Sequence, residues 1–451
     1  MDRMEESCGV FGLYAPGQNL AQLAIFGLYA LQHRGQESAG IAVSDGKDIF
    51  LEKGLGLVSE VFPDLEKLKF EQGLAAIGHV RYPTSDLGRV ENAQPLLISY
   101  RYGNMAVVHN GNLVNAKELR ERLEEEGSIF QTTTDSELVT HLIARFGYKN
   151  LESSLKGVLP YLHGAYAFVF LTEKSLVGVR DPLGIRPLSL GQLNGYYVFS
   201  SESCAFDTIG AEMIRDVNPG EMVIINDDGL QSVQLLPSNR TALCIFEFIY
   251  FARPDSNINA RNVHLVRKEL GRNLARENPV EADIVTGVPD SSLSAAAGFA
   301  EEAGLPYEMG LIKNRYIGRT FIQPRQEIRN LGVQLKLNPV QKVVEGKKVV
   351  VVDDSIVRGT TSRKLVSTFF RAGAKEVHLR ISSPPVLSPC FYGIDTPTYD
   401  ELIGSKRDIE EIRKEIGATS LGYLSREGML SAVCLPQEDL CMACFTGEYP
   451  I

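Results

Sequence analysis

The chain has 451 residues, 44% hydrophobic and 23% charged, with a formal net charge of −10. At roughly 100–200 residues per domain this length predicts two or three domains, and the acidic balance argues against general nucleic-acid or membrane-surface binding. No apolar run approaches the roughly 20 residues that span a bilayer.

The N-terminal MDRMEES lacks the apolar core of a secretory signal, so a cytoplasmic location is expected. In that compartment seven cysteines point to catalysis or metal binding rather than disulfides. Short strand patterns punctuated by glycine fill the first half, at 40–44, 49–53, 75–81, 105–109, 165–171, 176–180, 196–200 and 222–226. Helical patterns interrupt them at 20–32, 116–126 and 136–146, which predicts an α+β layered domain. The turn-formers Pro237, Ser238 and Asn239 within QLLPSNRT mark a boundary, dividing the chain into 8–236 and 237–451.

Beyond it strand and helix alternate: strand 283–287, helix 292–303, strand 348–353, helix 361–372, strand 377–382. Repeated units of this kind predict an α/β domain with a parallel, doubly wound sheet. A charged helical stretch at 409–416 reads as a solvated face.

The most informative stretch is VVVVDDSIVRGTTS (349–362). Four consecutive valines read as a strand buried on both faces. A small-hydroxyl loop and a helix follow, an arrangement suited to binding an anion. A Walker B strand would need a partner G-x-x-x-x-G-K-[ST], and a dinucleotide turn would need G-x-G-x-x-G; the chain has neither. A phosphoribosyl pyrophosphate (PRPP) site suits the residues. Asp353 and Asp354 can accept from two ribose hydroxyls, while Ser355, Arg358, Gly359, Thr360, Thr361 and Ser362 cradle a 5′-phosphate.

The motif DDSIVRGTTS resembles that of type I phosphoribosyltransferases. GVPDS (287–291) then resembles their pyrophosphate loop, with Asp290 and Ser291 at the ligand and Ser291, Asp353 and Asp354 organising Mg²⁺. The basic run KNRYIGRTFIQPRQEIR (313–329) reads as a lid whose Arg319, Thr320 and Phe321 close over pyrophosphate.

Cys8 opens CGVFGLY. A cysteine there could be a buried thiol starting a strand. The seven residues before it read as a propeptide whose loss would expose an α-amine, a general base for the thiol near neutrality. With LQHRGQESAG (31–40), HVRYPT (79–84), HNGNL (109–113) and TTDSE (133–137), this stretch resembles the glutaminase domain of N-terminal nucleophile amidotransferases. The resemblance implies that the Asn110 side chain and Gly111 N–H stabilise an oxyanion. Arg81 would pair with the α-carboxylate of glutamine and Asp135 with its α-ammonium, with Thr84 beside them. Asp135 could also cap the helix starting near Ser136.

CMAC alone could be a redox pair or half a zinc site. Extended to CMACFTGEYP, and taken with Cys244 in LCIFEFIYFARPDS and Cys390 in PPVLSPCFYG, it resembles the iron–sulfur branch of the glutamine PRPP amidotransferases. That branch holds a [4Fe–4S] cluster, which implies Cys244, Cys390, Cys441 and Cys444 as ligands; zinc is the alternative that four thiolates equally satisfy. Cys204 and Cys434 read as core thiols.

The family implies a reaction opening purine synthesis. PRPP, glutamine and water become 5-phosphoribosylamine, glutamate and pyrophosphate, in a homotetramer inhibited by purine nucleotides. Two other readings compete: a PRPP-sensing regulator without catalysis, and a glutaminase serving another acceptor such as a sugar phosphate. The first would carry a DNA-binding module, and the second would lack the Asp-Asp hydroxyl loop.

Overall fold

The computed structural model describes residues 8–65, 73–82, 88–238, 240–314, 337–394 and 398–451. Two antiparallel sheets face each other in the first half. One has seven strands, with Gly9–Tyr14 near its middle, hydrogen-bonded to Ala75–Arg81 on one side and Tyr196–Ser200 on the other. The other has six and is centred on Gly103–Leu113, Gly164–Thr172 and Leu176–Arg180. Val10, Ile77, Val108, Val169 and Phe199 fill the space between the sheets. Helix Leu20–Ala30 covers the outer face of the first sheet, through Leu20, Ala24 and Leu28. Helices Ser136–Phe146 and Leu151–Val158 cover the second. The predicted layering is therefore helix, sheet, sheet, helix.

Two local differences matter for the site. The strand expected at 105–109 runs on to Leu113, although Asn-Gly normally signals a turn. Pairing of Asn110 with Ala167 and of Gly111 with Tyr166 overrides that preference. The helix expected to reach residue 32 stops at Ala30 and tightens into a 3₁₀ turn, Gln32–Arg34, which turns Arg34 inward.

The second half is built on a parallel sheet in the order Ile284–Gly287, Lys348–Asp353, Glu376–Ile381, Ser420–Tyr423. Tyr307 bridges in parallel to Val285 on the far side of the first of these strands. The chain thus steps outward to Tyr307 and then returns to 348 on the opposite side. That makes the gap between Ile284–Gly287 and Lys348–Asp353 the topological switch point, where ligands of such sheets bind. The four valines divide as a doubly covered strand requires. Val349 and Val351 pack with Leu365 and Phe369, and Val350 and Val352 with Leu270 and Ala296.

One covering helix, Val263–Glu277, did not stand out in the sequence because Gly271 interrupts its pattern. That glycine lets the helix lie directly on Leu293–Ala303, since a Cβ at Gly271 would overlap the Ala295 carbonyl. The 409–416 expectation holds: helix Ile409–Ile416 is solvated except at Ile412 and Ile416.

Candidate functional sites

Cys8 stands at the head of Gly9–Tyr14, half-buried, with its Sγ 3.8 Å from the Tyr82 carbonyl. Loss of solvation pushes the thiol up to about 11; Arg81 and Arg34 pull it down and Asp135 pushes it up. Those three charged groups therefore gather at the thiol, though they come from separate strands and turns. Arg34 Nε also donates to the Cys8 carbonyl at 3.2 Å.

Asp135 does not cap its helix through its side chain. Its Oδ2 accepts instead from the Leu113 N–H at 2.9 Å, and its other oxygen lies 3.5 Å from His109 Nδ1. Burial works against this carboxylate, but His109 and the Leu113 and Ser136 donors outweigh it and hold its pKa below the ordinary carboxylate value.

Asn110 is fully buried, and neither its Oδ1 nor its Nδ2 has a hydrogen-bond partner. A buried amide left unbonded is costly, so such a group points to a ligand that completes it. Gly111 beside it has φ +145°, and a Cβ there would overlap the Ala165 carbonyl, so the position requires glycine. Arg81 is engaged with the carboxylate of Glu37, which also accepts from Gly88 N at 3.0 Å. The guanidinium is thus seated on a carboxylate already, one that a substrate carboxylate would have to displace.

At the switch point of the parallel sheet, Asp353 and Asp354 are each 1% exposed. Ser291 Oγ donates to Asp354 at 2.5 Å, Ser355 Oγ to its other oxygen at 2.7 Å, and Ser292 Oγ to Asp353 at 3.2 Å. The GVPDS loop and the paired carboxylates are therefore one unit. Asp290 faces outward and pairs with Lys313 at 2.7 Å. Gly359, with φ +81°, caps helix Thr360–Arg371, whose first turn carries Thr360, Thr361 and Ser362. Arg358 reaches Glu401 at 3.3 Å.

Four thiols form a third group. Cys244 and Cys441 lie opposite each other on a short parallel ladder. The Cys444 carbonyl accepts from Leu387 N and Ser388 N, which brings in the segment carrying Cys390. Burial first, and then the other three sulfurs, push Cys444 well above the usual thiol value. Three buried thiols, Cys244, Cys441 and Cys444, with the half-buried Cys390 beside them, fit a metal group that takes thiolates. Among the described residues no three His, Cys, Asp or Glu side chains are set to hold a single metal ion.

A family model described as a glutamine amidotransferase domain matches residues 80–208. The amidophosphoribosyltransferase of Bacillus subtilis (strain 168) is 54% identical over 452 residues, covering 99% of this chain and 94% of that protein. The chain belongs to the amidophosphoribosyltransferase family. The amidophosphoribosyltransferase of Archaeoglobus fulgidus is 50% identical, covering 98% of each chain. Among solved structures, the glutamine PRPP amidotransferase from B. subtilis complexed with ADP and GMP superposes with a TM-score of 0.92, at 54% identity, over 98% of this chain and 97% of that one. A second, described as the allosteric regulatory enzyme of purine biosynthesis, gives 0.93 over 98% and 96%. Membership sets aside both the sensor and the other-acceptor readings. As a member of that family the protein is a glutamine-dependent enzyme of purine biosynthesis, with a glutaminase domain and a phosphoribosyltransferase domain.

The family's expected residues fall into place unevenly. Cys8, Arg81 and Asp135 converge, as do Ser291, Asp353, Asp354 and Ser355. The propeptide at 1–7, Thr84, and the lid residues Arg319, Thr320 and Phe321 lie outside the described residues. Cys204 is buried as expected, but Cys434 is exposed. It follows helix Arg426–Val433 as its C-cap in a left-handed conformation, φ +54°, at the surface rather than in the core. Sequence reasoning missed Arg34, Glu37, Glu202 and Glu247 as members of the site. Arg34 and Glu37 stand inside the LQHRGQESAG motif, the one signal that could have flagged them. No helix among the described residues is long and apolar enough to cross a membrane.

Proposed function

We propose that Cys8, once residues 1–7 are removed, is the nucleophile of a glutaminase domain over 8–236, with its own α-amine as base. The raised thiol supports this reading: burial keeps the sulfur protonated near neutrality, so a base at hydrogen-bond range is needed. Cys8 Sγ bonds to the side-chain carbonyl carbon of glutamine, the C–N bond breaks, and ammonia leaves carrying the thiol proton. Water then cleaves the thioester to glutamate. Asn110 Nδ2 and Gly111 N–H are the donors to the oxyanion, the substrate carboxylate displaces Glu37 from Arg81, and Asp135 takes the ammonium.

In the domain over 237–451, Asp353 and Asp354 hold the ribose hydroxyls of PRPP and the 355–362 loop holds its 5′-phosphate. Ammonia bonds to C1 of the ribose as the C1–O bond to pyrophosphate breaks, so the protein's task is to position the sugar and neutralise the leaving group. The serine hydroxyls already occupying Asp354 suit a Mg²⁺ that arrives on the substrate's phosphates rather than one held by protein alone; bound there, it would offset the charge of pyrophosphate. Cys244, Cys390, Cys441 and Cys444 would hold a [4Fe–4S] cluster that ties the C-terminal tail to the domain. Control by purine nucleotides is supported by the B. subtilis relative's complex with ADP and GMP; assembly as a homotetramer in the cytoplasm completes the reading.

The observation that carries this reading is the unbonded, buried Asn110 amide beside Gly111, where the second domain abuts. A Cβ on Gly393 would come within 2.9 Å of the Gly111 backbone, and Asn112 Nδ2 donates to the Phe391 carbonyl at 2.9 Å. Ammonia made there emerges against the phosphoribosyltransferase domain. Pyrophosphate release from PRPP, measured with glutamine and then with an ammonium salt, tests it. Cys8→Ala should abolish the first and spare the second; losing both would argue against two separate sites.

A further inference from the structure

We infer that Glu247, a residue of the second domain, is a positioning residue for the nucleophile of the first, acting through Arg34. This rests on Cys8 being that nucleophile. Glu247 is fully buried in the turn Glu247–Phe251. Its Oε1 accepts from Arg34 Nη2 at 2.8 Å and its Oε2 from Arg34 Nη1 at 3.0 Å, the two-pronged arrangement that fixes a guanidinium plane. Arg34 in turn donates to the Cys8 carbonyl, so the second domain holds the backbone of the residue that attacks.

The same carboxylate reaches Arg186 Nη1 at 3.4 Å. Arg186 donates through Nε and Nη2 to the Tyr392 carbonyl at 3.0 and 2.8 Å, next to the Gly393 that lies on Gly111. One buried anion thus braces both the nucleophile and the segment pressed on the oxyanion strand.

Glu202 completes the lattice from the first domain. It accepts from Arg34 Nη1 at 2.5 Å and His33 Nε2 at 2.7 Å, and from the FARPDS segment through Arg253 N at 2.8 Å and Ser256 Oγ at 2.7 Å. Arg34 and Arg186 balance Glu202 and Glu247, and all four side chains are 1% exposed or less. Burial alone would raise Glu202, but His33 and Arg34 hold it far below the ordinary carboxylate value. A charge set buried this completely has one low-energy arrangement, since an unpaired member would be stranded without solvent. The glutaminase geometry is therefore assembled only when the second domain is seated.

The test is Glu247→Gln in the full chain, which keeps shape but not charge. A misplacement of about 1 Å at a reacting group costs on the order of 100-fold. Glutamine-dependent kcat should accordingly fall about 10- to 100-fold with little change in KM for glutamine, while ammonia-dependent synthesis stays within about twofold. Alkylation of Cys8 by iodoacetamide should shift to higher pH, because Arg34 no longer sits against it, and Glu247→Asp should restore part of both effects. If Glu247→Gln does not fold, Glu247→Asp is read by the same criteria. Unchanged glutamine-dependent kcat, or proportional loss of both activities with an unmoved alkylation profile, overturns the inference. Cys8→Ala run alongside separates the cases: if it stays active with glutamine, the nucleophile assignment itself has failed.

Discussion

Replacing Asn110 by Ala separates catalysis from stability in a way few substitutions at this site can. The side chain is fully buried with neither amide atom bonded. Its burial therefore costs the protein about 1–3 kcal/mol that no hydrogen bond offsets. Truncation to Ala relieves that cost and leaves a small void whose penalty is of similar size. The net change in stability should fall within about 1 kcal/mol, a shift in thermal midpoint of no more than about 2–4 °C. Catalysis should respond quite differently. Removing one preorganised oxyanion donor costs about 2.7–4 kcal/mol in the transition state, or 10²–10³ in kcat. Glutamine-dependent pyrophosphate release and calorimetry on the same preparation measure both quantities, with ammonium-supported synthesis as the control for the second site. A large fall in the midpoint with little loss of kcat would show that Asn110 is a packing residue and refute the oxyanion assignment.

A chain beginning at Cys8 should be alkylated by iodoacetamide at pH 7.5 far faster than one retaining residues 1–7. In the latter, burial holds the thiol near 11 and no amine is available; equal rates would remove the proposed base. Anaerobically purified protein should be brown and contain iron and acid-labile sulfide, and Cys444→Ser should lose both; a colourless protein carrying zinc would refute the cluster.

Glu137 supplies a pH signature. Burial opposes its ionisation, but His141, the Gln131 and Thr132 N–H groups and the Thr132 hydroxyl hold it at about 2 against an ordinary 4.5. A depressed carboxyl contributes stability above its unfolded pKa and loses it as pH falls through the folded one. Glu137→Gln should therefore flatten the decline in stability between about pH 4.5 and 2, followed by urea unfolding; an unchanged profile would place the acid sensitivity elsewhere.

The chemistry of this enzyme was legible where it depends on residue type at short spacing. Four consecutive β-branched valines before Asp353 are apolar to both faces, which reads as a doubly covered strand, and they divide between two core clusters as such a strand requires. Cys8, Asn110, Gly111 and the cysteines near the C-terminus stand in motifs for the same reason. What local pattern could not decide was pairing across the chain. Glu37 on Arg81 and Glu247 on Arg34 and Arg186 depend on partners brought together by strand order and domain seating. A charged residue in a sequence reads as solvated, because burying it unpaired is prohibitive; only the tertiary fold supplies the opposite charge that permits it. That is why Arg81 and Asp135 were visible in their motifs, while the buried ion pairs of Arg34 and Arg186 with Glu202 and Glu247 were not.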